Sequence, residues 1–496
     1  MVTITVNGTA CRAGTGARLM DCLPAHAAPE TPCGGAGRCG KCRVVARGVL
    51  SEPSPEELRA LSANELARGV RLACCARALG DCEVLTGTNA PAFILGESGA
   101  LPAPAPMFSG VGAAVDIGTT TLAACLYGPS GTLLAQAGKM NPQRRWGADV
   151  ISRIEASRKG EGEELARAVR EGINELLAEL CAAAGLAPDA PDALVITGNT
   201  AMLYLLTGSD PDCLAHAPFV ADRLFGETLT GADLGLCCPG AAVYLPRCIS
   251  AFVGADTATA LLAAGLTQRP GVHLLADIGT NGEIALWNGQ QLSCCSTAAG
   301  PAFEGAGLSM GMPGRAGAVD HVTVEKGALA AHVLGGGEAE GICGSGVVDA
   351  LACLLATEVL DESGLLDPEP APVCGKVQLT QKDVRAVQLA KSAVAAGLVT
   401  LTQTAGLGFD RVESLSIAGG FGSYLDVKNA GAIGLIPQEL VPRTRILGNA
   451  ALRGAAMLLL DDGLHAPCEE TARRAETIDL ASSKVFFSAY TDCMFF

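Results

Sequence analysis

The chain has 496 residues, 49% of them hydrophobic and 17% charged, with a formal net charge of −16. That length exceeds what one core can organise, so about two to four domains are expected. The acidic balance argues against nucleic acid or an anionic membrane as partner, and leaves room for a protein with a basic patch. No basic region followed by an apolar one opens the sequence, and no uninterrupted apolar stretch reads as a bilayer span, so a cytoplasmic protein is expected. The 21 cysteines, an odd number, argue against a secreted disulfide framework. Some should be metal ligands. Others, such as Cys237-Cys238 and Cys294-Cys295, read as small buried hydrophobes.

Residues 1–87 form the first unit. Residues 2–6 alternate as a strand, Asn7-Gly8 turns, and residues 9–12 return. Residues 17–23 read as a short helix, 43–49 as a strand and 55–68 as a charged helix. Before the strand 43–49 lies Pro32-Cys33-Gly34-Gly35-Ala36-Gly37-Arg38-Cys39-Gly40-Lys41-Cys42, and Arg71-Leu72-Ala73-Cys74-Cys75 follows the charged helix. C-x5-C-x2-C with a distant fourth cysteine is an iron–sulfur pattern. The glycines let the loop fold tightly and aim N–H groups at sulfur. Zinc usually takes two C-x2-C hooks, and only one is present. Cys74, Cys75 and Cys82 are all candidates for the fourth ligand, and Cys74 is preferred. On these residues the unit resembles a 2Fe-2S ferredoxin domain of β-grasp fold, closer to the adrenodoxin-like spacing than to the plant one. The resemblance implies Cys33, Cys39, Cys42 and Cys74 as the cluster ligands.

Residues 88–110 are rich in Pro, Ala and Gly and read as a linker, either a swinging tether or a spacer packed along the next domain. Residues 111–270 and 271–460 each begin with an apolar run feeding a turn: Asp116-Ile117-Gly118-Thr119-Thr120 in the first, Asp277-Ile278-Gly279-Thr280-Asn281-Gly282-Glu283 in the second. Two copies suggest a duplicated α/β unit with one shared site. Each turn offers N–H groups and a hydroxyl to a phosphate, and each Asp can hold a water on Mg²⁺. Gly254-Ala255-Asp256-Thr257 opens a helix of small residues just before the second turn, and Asn449-Ala450-Ala451 opens another. Gly341-Ile342-Cys343-Gly344-Ser345-Gly346 leads a helix whose N–H groups can face an anion. Ala418-Gly419-Gly420-Phe421 ends a strand in a turn fit for close approach by a flat ligand such as adenine. Residues 461–496 form a C-terminal tail holding Phe486, Phe487, Phe495 and Phe496, read as capping the core or a homodimer seam, with an apolar contact to a partner protein as the other reading.

This order resembles the acetate and sugar kinase, heat-shock chaperone and actin superfamily, a duplicated ribonuclease H-like ATPase fold. The likeness implies that residues 116–120 and 277–281 cradle ATP phosphates, that Gly419 and Gly420 back the adenosine, and that the two small-residue helices form the hinge. No Walker motif occurs. A ferredoxin domain joined to this fold resembles the ATP-dependent reductive activators of corrinoid proteins. Asn141-Pro142-Gln143, Gly147-Ala148-Asp149-Val150, Thr197-Gly198-Asn199-Thr200 and Met494-Phe495-Phe496 strengthen the likeness. Better-known members carry a further domain between cluster and ATPase, where this chain has only residues 88–110.

The family likeness implies one-electron reduction of a corrinoid protein from cobalt(II) to cobalt(I). A low-potential donor would feed a 2Fe-2S cluster, and ATP with Mg²⁺ would drive closure of the two halves. Asp256 and Glu283 are candidates for orienting the attacking water, with hinge or supporting hydrogen bonds as the other reading. Three rivals remain at this stage: an activator of radical dehydratases using Cys343, an ATP-gated redox-sensing binding protein, and a small-molecule kinase.

Overall fold

The computed structural model describes all residues except 8, 25–27, 30, 32, 39, 41, 62–65, 67, 68 and 87–100, and the side chains of 422 and 423. The first unit is a five-stranded sheet in the order Thr9–Ala13, Val2–Val6, Ala78–Leu85, Arg43–Leu50, Val70–Leu72. Its central pair is parallel, with Ile4 opposite Cys82, and the flanking pairs are antiparallel. Alternation in Val2–Val6 puts Val2, Ile4 and Val6 into a core shared with Leu19, Leu72 and Val84. The helix Pro55–Ala60 starts with a capping box between Ser54 and Glu57. Glu57 also accepts from Arg71 Nε at 2.9 Å, Arg71 Nη2 at 3.0 Å and the Leu72 amide at 3.0 Å. This buried ion pair pins the strand Val70–Leu72, and with it the turn that carries Cys74.

The described part of the linker, from residue 101 on, is packed rather than free. The Leu101 amide donates to Gly131, the Met107 amide to Leu459, and Leu101 and Phe108 are buried. Residues 88–100 of the expected linker lie outside the described residues.

The duplication expected from the paired turns is explicit in the two large sheets. The first runs Glu227–Thr230, Ala242–Leu245, Pro191–Gly198, Val111–Ile117, Thr121–Tyr127, Leu133–Met140. The second runs Thr444–Gly448, Ser414–Ala418, His273–Ile278, Gly282–Trp287, Leu292–Thr297, Glu476–Thr477. In each, a three-strand antiparallel meander continues into two parallel strands. A smaller sheet, Ala328–Val333, Ala318–Glu325 and Gly341–Ile342, is inserted in the second half.

The small-residue helices are Ala255–Ala264 and Ala450–Leu460, and they cross in close contact. A Cβ on Gly454 would stand 1.9 Å from the Thr259 carbonyl oxygen, so only glycine permits this approach. The helix expected after Gly346 begins earlier, at Gly344, with Cys343 as its N-cap residue.

The helix Gln381–Thr404 is long and apolar enough to cross a membrane, but 78% of its apolar window is buried inside the protein. Lys391 interrupts its apolar run. The Lys391 ammonium is buried and donates to the Cys493 carbonyl at 2.7 Å. The C-terminal segment supplies two helices, His465–Arg474 and Lys484–Asp492, and a short strand paired with Leu292–Thr297. Phe486 and Phe496 pack on the second core, while Phe487 and Phe495 are exposed.

Candidate functional site

The two phosphate-type turns are hairpin loops at the same place in each sheet. Ile117 pairs with Leu122 across the first, and Ile278 with Gly282 across the second. Asp116 and Asp277 each stand one residue before the loop, between a hairpin partner and a parallel strand. The halves differ in what lies opposite: Ala123 faces Asp116, but Glu283 faces Asp277. Asp256 joins them from the first turn of the hinge helix.

These four carboxylates line one cavity of about 350 Å³ between the halves. Gly118, Thr119 and Thr120 stand on its wall, as do Gly279, Thr280 and Asn281. The first turn of the Gly344 helix, with Ser345, forms another part of the wall, and so do Gly419 and Gly420. Gly419 has φ +97°, and a Cβ there would meet the Ile278 carbonyl at 2.5 Å and Asp277 Oδ1 at 2.7 Å. The turn therefore passes directly against the end of the Asp277 strand. Beside it, Phe303 and Phe421 stack with centroids 4.8 Å apart, giving the cavity an apolar side.

Burial pushes Asp116 up to about 7, against a stabilising hydrogen bond from Asn449, with repulsion from Asp256 adding to it. Burial, then repulsion from Asp256 and Asp116, pushes Asp277 up to about 8. Asp256 and Glu283 are raised too, chiefly by burial. Such a cluster holds charge that a cation would relieve. Among the described residues no three His, Cys, Asp or Glu side chains are placed to enclose a metal. A cation here would take water and phosphate oxygens as ligands, which is how Mg²⁺ usually binds nucleotides. The residues present fit Mg-nucleotide on that ground.

Three cavity features have no local sequence signature. Glu304, on the tight turn Pro301–Glu304, accepts from Thr120 Oγ1 of the first half and from Thr280 Oγ1 of the second, the latter at 3.0 Å. Its carboxylate thus bridges the two hydroxyls expected to hold phosphate. The flanking Gly300 and Gly305, with φ of +77° and +73°, let this turn close. Arg153 is wholly buried behind the first turn, donating to the Thr119 carbonyl and, at 3.2 Å, to the Gly147 carbonyl. Burial lowers it to about 9, and Arg144 lowers it further while Asp149 and Glu304 oppose the shift. Arg144 adds a guanidinium to the cavity wall. Cys343 is buried in the same wall, its Sγ 3.4 Å from Ser345 Oγ, and is no surface ligand.

The cysteine loop lies in the first unit. Cys42 Sγ and Cys74 Sγ are 3.2 Å apart, and the Gly37 amide supports the Cys74 sulfur. Gly34, Gly35, Gly37 and Gly40 all have positive φ, so the loop curls in the manner expected for a sulfur cradle. Cys75 Sγ is 3.6 Å from Cys74 Sγ, whereas Cys82 sits in the parallel strand pair opposite Ile4. Cys33 is half-buried at the start of the loop, and Cys39 lies outside the described residues. Adjacent buried thiols on a glycine loop that points amides at sulfur fit an iron–sulfur cluster.

Residues 271–496 match the family model described as the C-terminal domain of RACo, the ASKHA domain, and residues 111–269 match the RACo middle region. The corrinoid activation enzyme RamQ of Eubacterium limosum is 38% identical over 415 residues, covering 76% of this chain and 69% of RamQ. This chain belongs to the RACo family. A second relative, the [Co(II) methylated amine-specific corrinoid protein] reductase of Methanosarcina barkeri, is 27% identical over 348 residues, covering 60% of this chain and 62% of its own length. The solved structure of a reductive activator for corrinoid, iron-sulfur protein aligns with a TM-score of 0.73 at 25% identity, covering 100% of this chain and 98% of that one. The RACo matches include the C-terminal helices as well as both large sheets.

Proposed function

We propose that this RACo-family protein uses ATP to drive one-electron reduction of a corrinoid protein, from cobalt(II) to cobalt(I). The observation that carries the reading is a carboxylate-lined, two-half nucleotide cavity in the same chain as a glycine-cradled cysteine loop. The cobalt belongs to the substrate protein and gains one electron. A low-potential donor outside the chain supplies it. A 2Fe-2S cluster on Cys33, Cys39, Cys42 and Cys74 would supply one-electron transfer when bound.

The chain's own residues do the rest. Thr119, Thr120, Thr280 and Asn281 hold phosphate oxygens from the two turns, and Asp116 and Asp277 hold the waters of Mg²⁺. Asp256 or Glu283 orients the attacking water. Glu304 gives up its threonine hydroxyls as phosphate arrives. Each half contributes one turn, so bound ATP favours the closed arrangement of the halves. ATP acts on reduction only through a difference in affinity between open and closed forms. The cysteine count suits a reducing cytoplasm as its setting.

The test is anaerobic. A cobalt(II) corrinoid protein from a methyltransferase system is mixed with the protein, a reductant and ATP, and the cobalt(I) spectrum is followed. ATP-dependent appearance of cobalt(I), lost in Asp277→Ala, is expected. Equal rates with and without ATP across cognate partners would sink the proposal.

A further inference from the structure

The first phosphate turn and the cysteine loop are joined by one short segment, residues 141–147. The carbonyls of the phosphate turn are held from this side. The Gly118 carbonyl accepts from Asn141 Nδ2 at 2.8 Å, and the Thr120 carbonyl accepts from the Asn141 amide at 2.9 Å. The Thr119 carbonyl accepts from Arg153, which also holds the Gly147 carbonyl. Asn141 then caps the tight turn Pro142–Arg145 through the Gln143 amide at 3.0 Å. At the far end the cysteine loop begins. Thr31, 1% exposed, donates its hydroxyl to the Arg144 carbonyl at 3.3 Å. A Cβ on Gly34 would stand 3.2 Å from the Trp146 carbonyl oxygen, so the loop lies flat on that turn. These two contacts flank Cys33. The seam is also charge-matched, since Asp21 attracts Arg145 and Glu161 attracts Arg18.

We propose that residues 141–147 relay nucleotide state from the first phosphate turn to the cluster loop, with Asn141 and Thr31 as positioning residues at its two ends. The inference rests on the ATP-gated reading above and deepens it. The path is short and made of backbone-directed hydrogen bonds, so a shift of the phosphate turn on binding is passed to the loop with little slack. Because nucleotide binding and cluster reduction are both equilibria, their coupling is reciprocal. Reduction must then alter nucleotide affinity by the factor with which nucleotide alters reduction.

The experiment uses the full chain with its cluster, without any corrinoid protein. The Kd of a non-hydrolysable ATP analogue is measured on oxidised and on dithionite-reduced protein. Trp146 emission is followed in a Trp287→Phe background. A difference of about fivefold or more between the two Kd values is expected, with a nucleotide-dependent change in Trp146 emission. Thr31→Val keeps the shape of a buried side chain and removes the donor. It should bring the two Kd values together while leaving the oxidised-state Kd unchanged, and Thr31→Ser should restore the difference.

If Thr31→Val fails to hold the cluster, Asp21→Lys decides instead. Asp21 is exposed and ion-paired with Arg18, and the change repels Arg145 across the seam. It should also bring the two Kd values together. Equal Kd values in the two states of the unmodified protein would overturn the inference, as would a difference that survives Thr31→Val or Asp21→Lys. The corrinoid assay is separate, so cobalt reduction without this coupling would overturn the relay alone. Coupling without cobalt reduction would overturn the function alone.

Discussion

Asn449 Nδ2 donates to Asp116 Oδ2 at 2.9 Å, so the hinge helix of the second half holds the carboxylate of the first. The same asparagine caps its own helix through the Leu452 amide at 2.8 Å. One side chain thereby sets both the helix start and the orientation of Asp116. Asn449→Ala should lower ATP hydrolysis roughly ten- to a hundredfold, as for losing a hydrogen bond to a charged group of about 1.5–3 kcal/mol. Asn449→Asp should be worse, because it sets a second charge against Asp116. Steady-state phosphate release at saturating ATP checks both, and unchanged rates would refute the assignment.

The pH dependence of stability follows from the raised carboxylates. Asp116 and Asp277 bind protons more tightly folded than unfolded, so their contribution to nucleotide-free stability is fully present below the ordinary Asp range. It is lost as pH rises towards about 8, where Asp277 ionises. Thermal unfolding scans should show Tm falling between pH 5 and 8.5, which brackets those values. Mg²⁺ with ADP favours the ionised groups, so its binding should release protons and tighten as pH rises over the same window. A Tm that rises steadily towards pH 8 in metal-free buffer would contradict this.

Glu304 occupies the hydroxyls of Thr120 and Thr280, the groups assigned to phosphate. Its charge opposes an incoming anion. Glu304→Gln keeps the size and weakens that opposition, so ADP should bind about fivefold tighter, the effect of roughly 1 kcal/mol. Titration calorimetry reads the change directly. Weaker binding would instead make Glu304 a partner of the metal.

The thiol geometry separates the candidates for the fourth cluster ligand. Cys42→Ser and Cys74→Ser should each abolish the visible absorption of the cluster and lower the iron count. Cys82→Ala should keep both, since Cys82 lies within the sheet opposite Ile4. Cys75→Ser should keep them as well, although Cys75 neighbours Cys74. Loss of iron in Cys75→Ser with retention in Cys74→Ser would reverse the assignment.

Gly454 lies against the Thr259 carbonyl at the hinge crossing. Gly454→Ala must push the two hinge helices apart, at a cost of about 1–3 kcal/mol from overpacking. Tm should fall, and X-ray scattering should show less compaction on ATP binding than in the unmodified protein. A variant with unchanged compaction would remove the crossing from the hinge.

Much of this was legible in the chain. Asp116 and Asp277 announce themselves because each ends an apolar strand, and a strand-to-turn signal is local. The cysteine spacing is local in the same way. The equal topology of the two sheets follows from repeating such a signal. The helix Gln381–Thr404 carries no such local mark, because its buried Lys391 ammonium finds its carbonyl partners only in the C-terminal segment.

The sequence alone marked the candidate site: two Asp-Ile-Gly-Thr turns, a Gly-Gly turn after a strand and a glycine-rich run of thiols. Each depends on residues a few positions apart, whose geometry the backbone fixes locally. Only the tertiary structure decided which distant groups complete the site. Glu304 bridges Thr120 and Thr280, Arg153 backs Thr119, Asn449 holds Asp116, and Thr31 meets Arg144. Those contacts join residues far apart in the chain that share no local pattern, and they form only where the separate sheets and the first unit pack together.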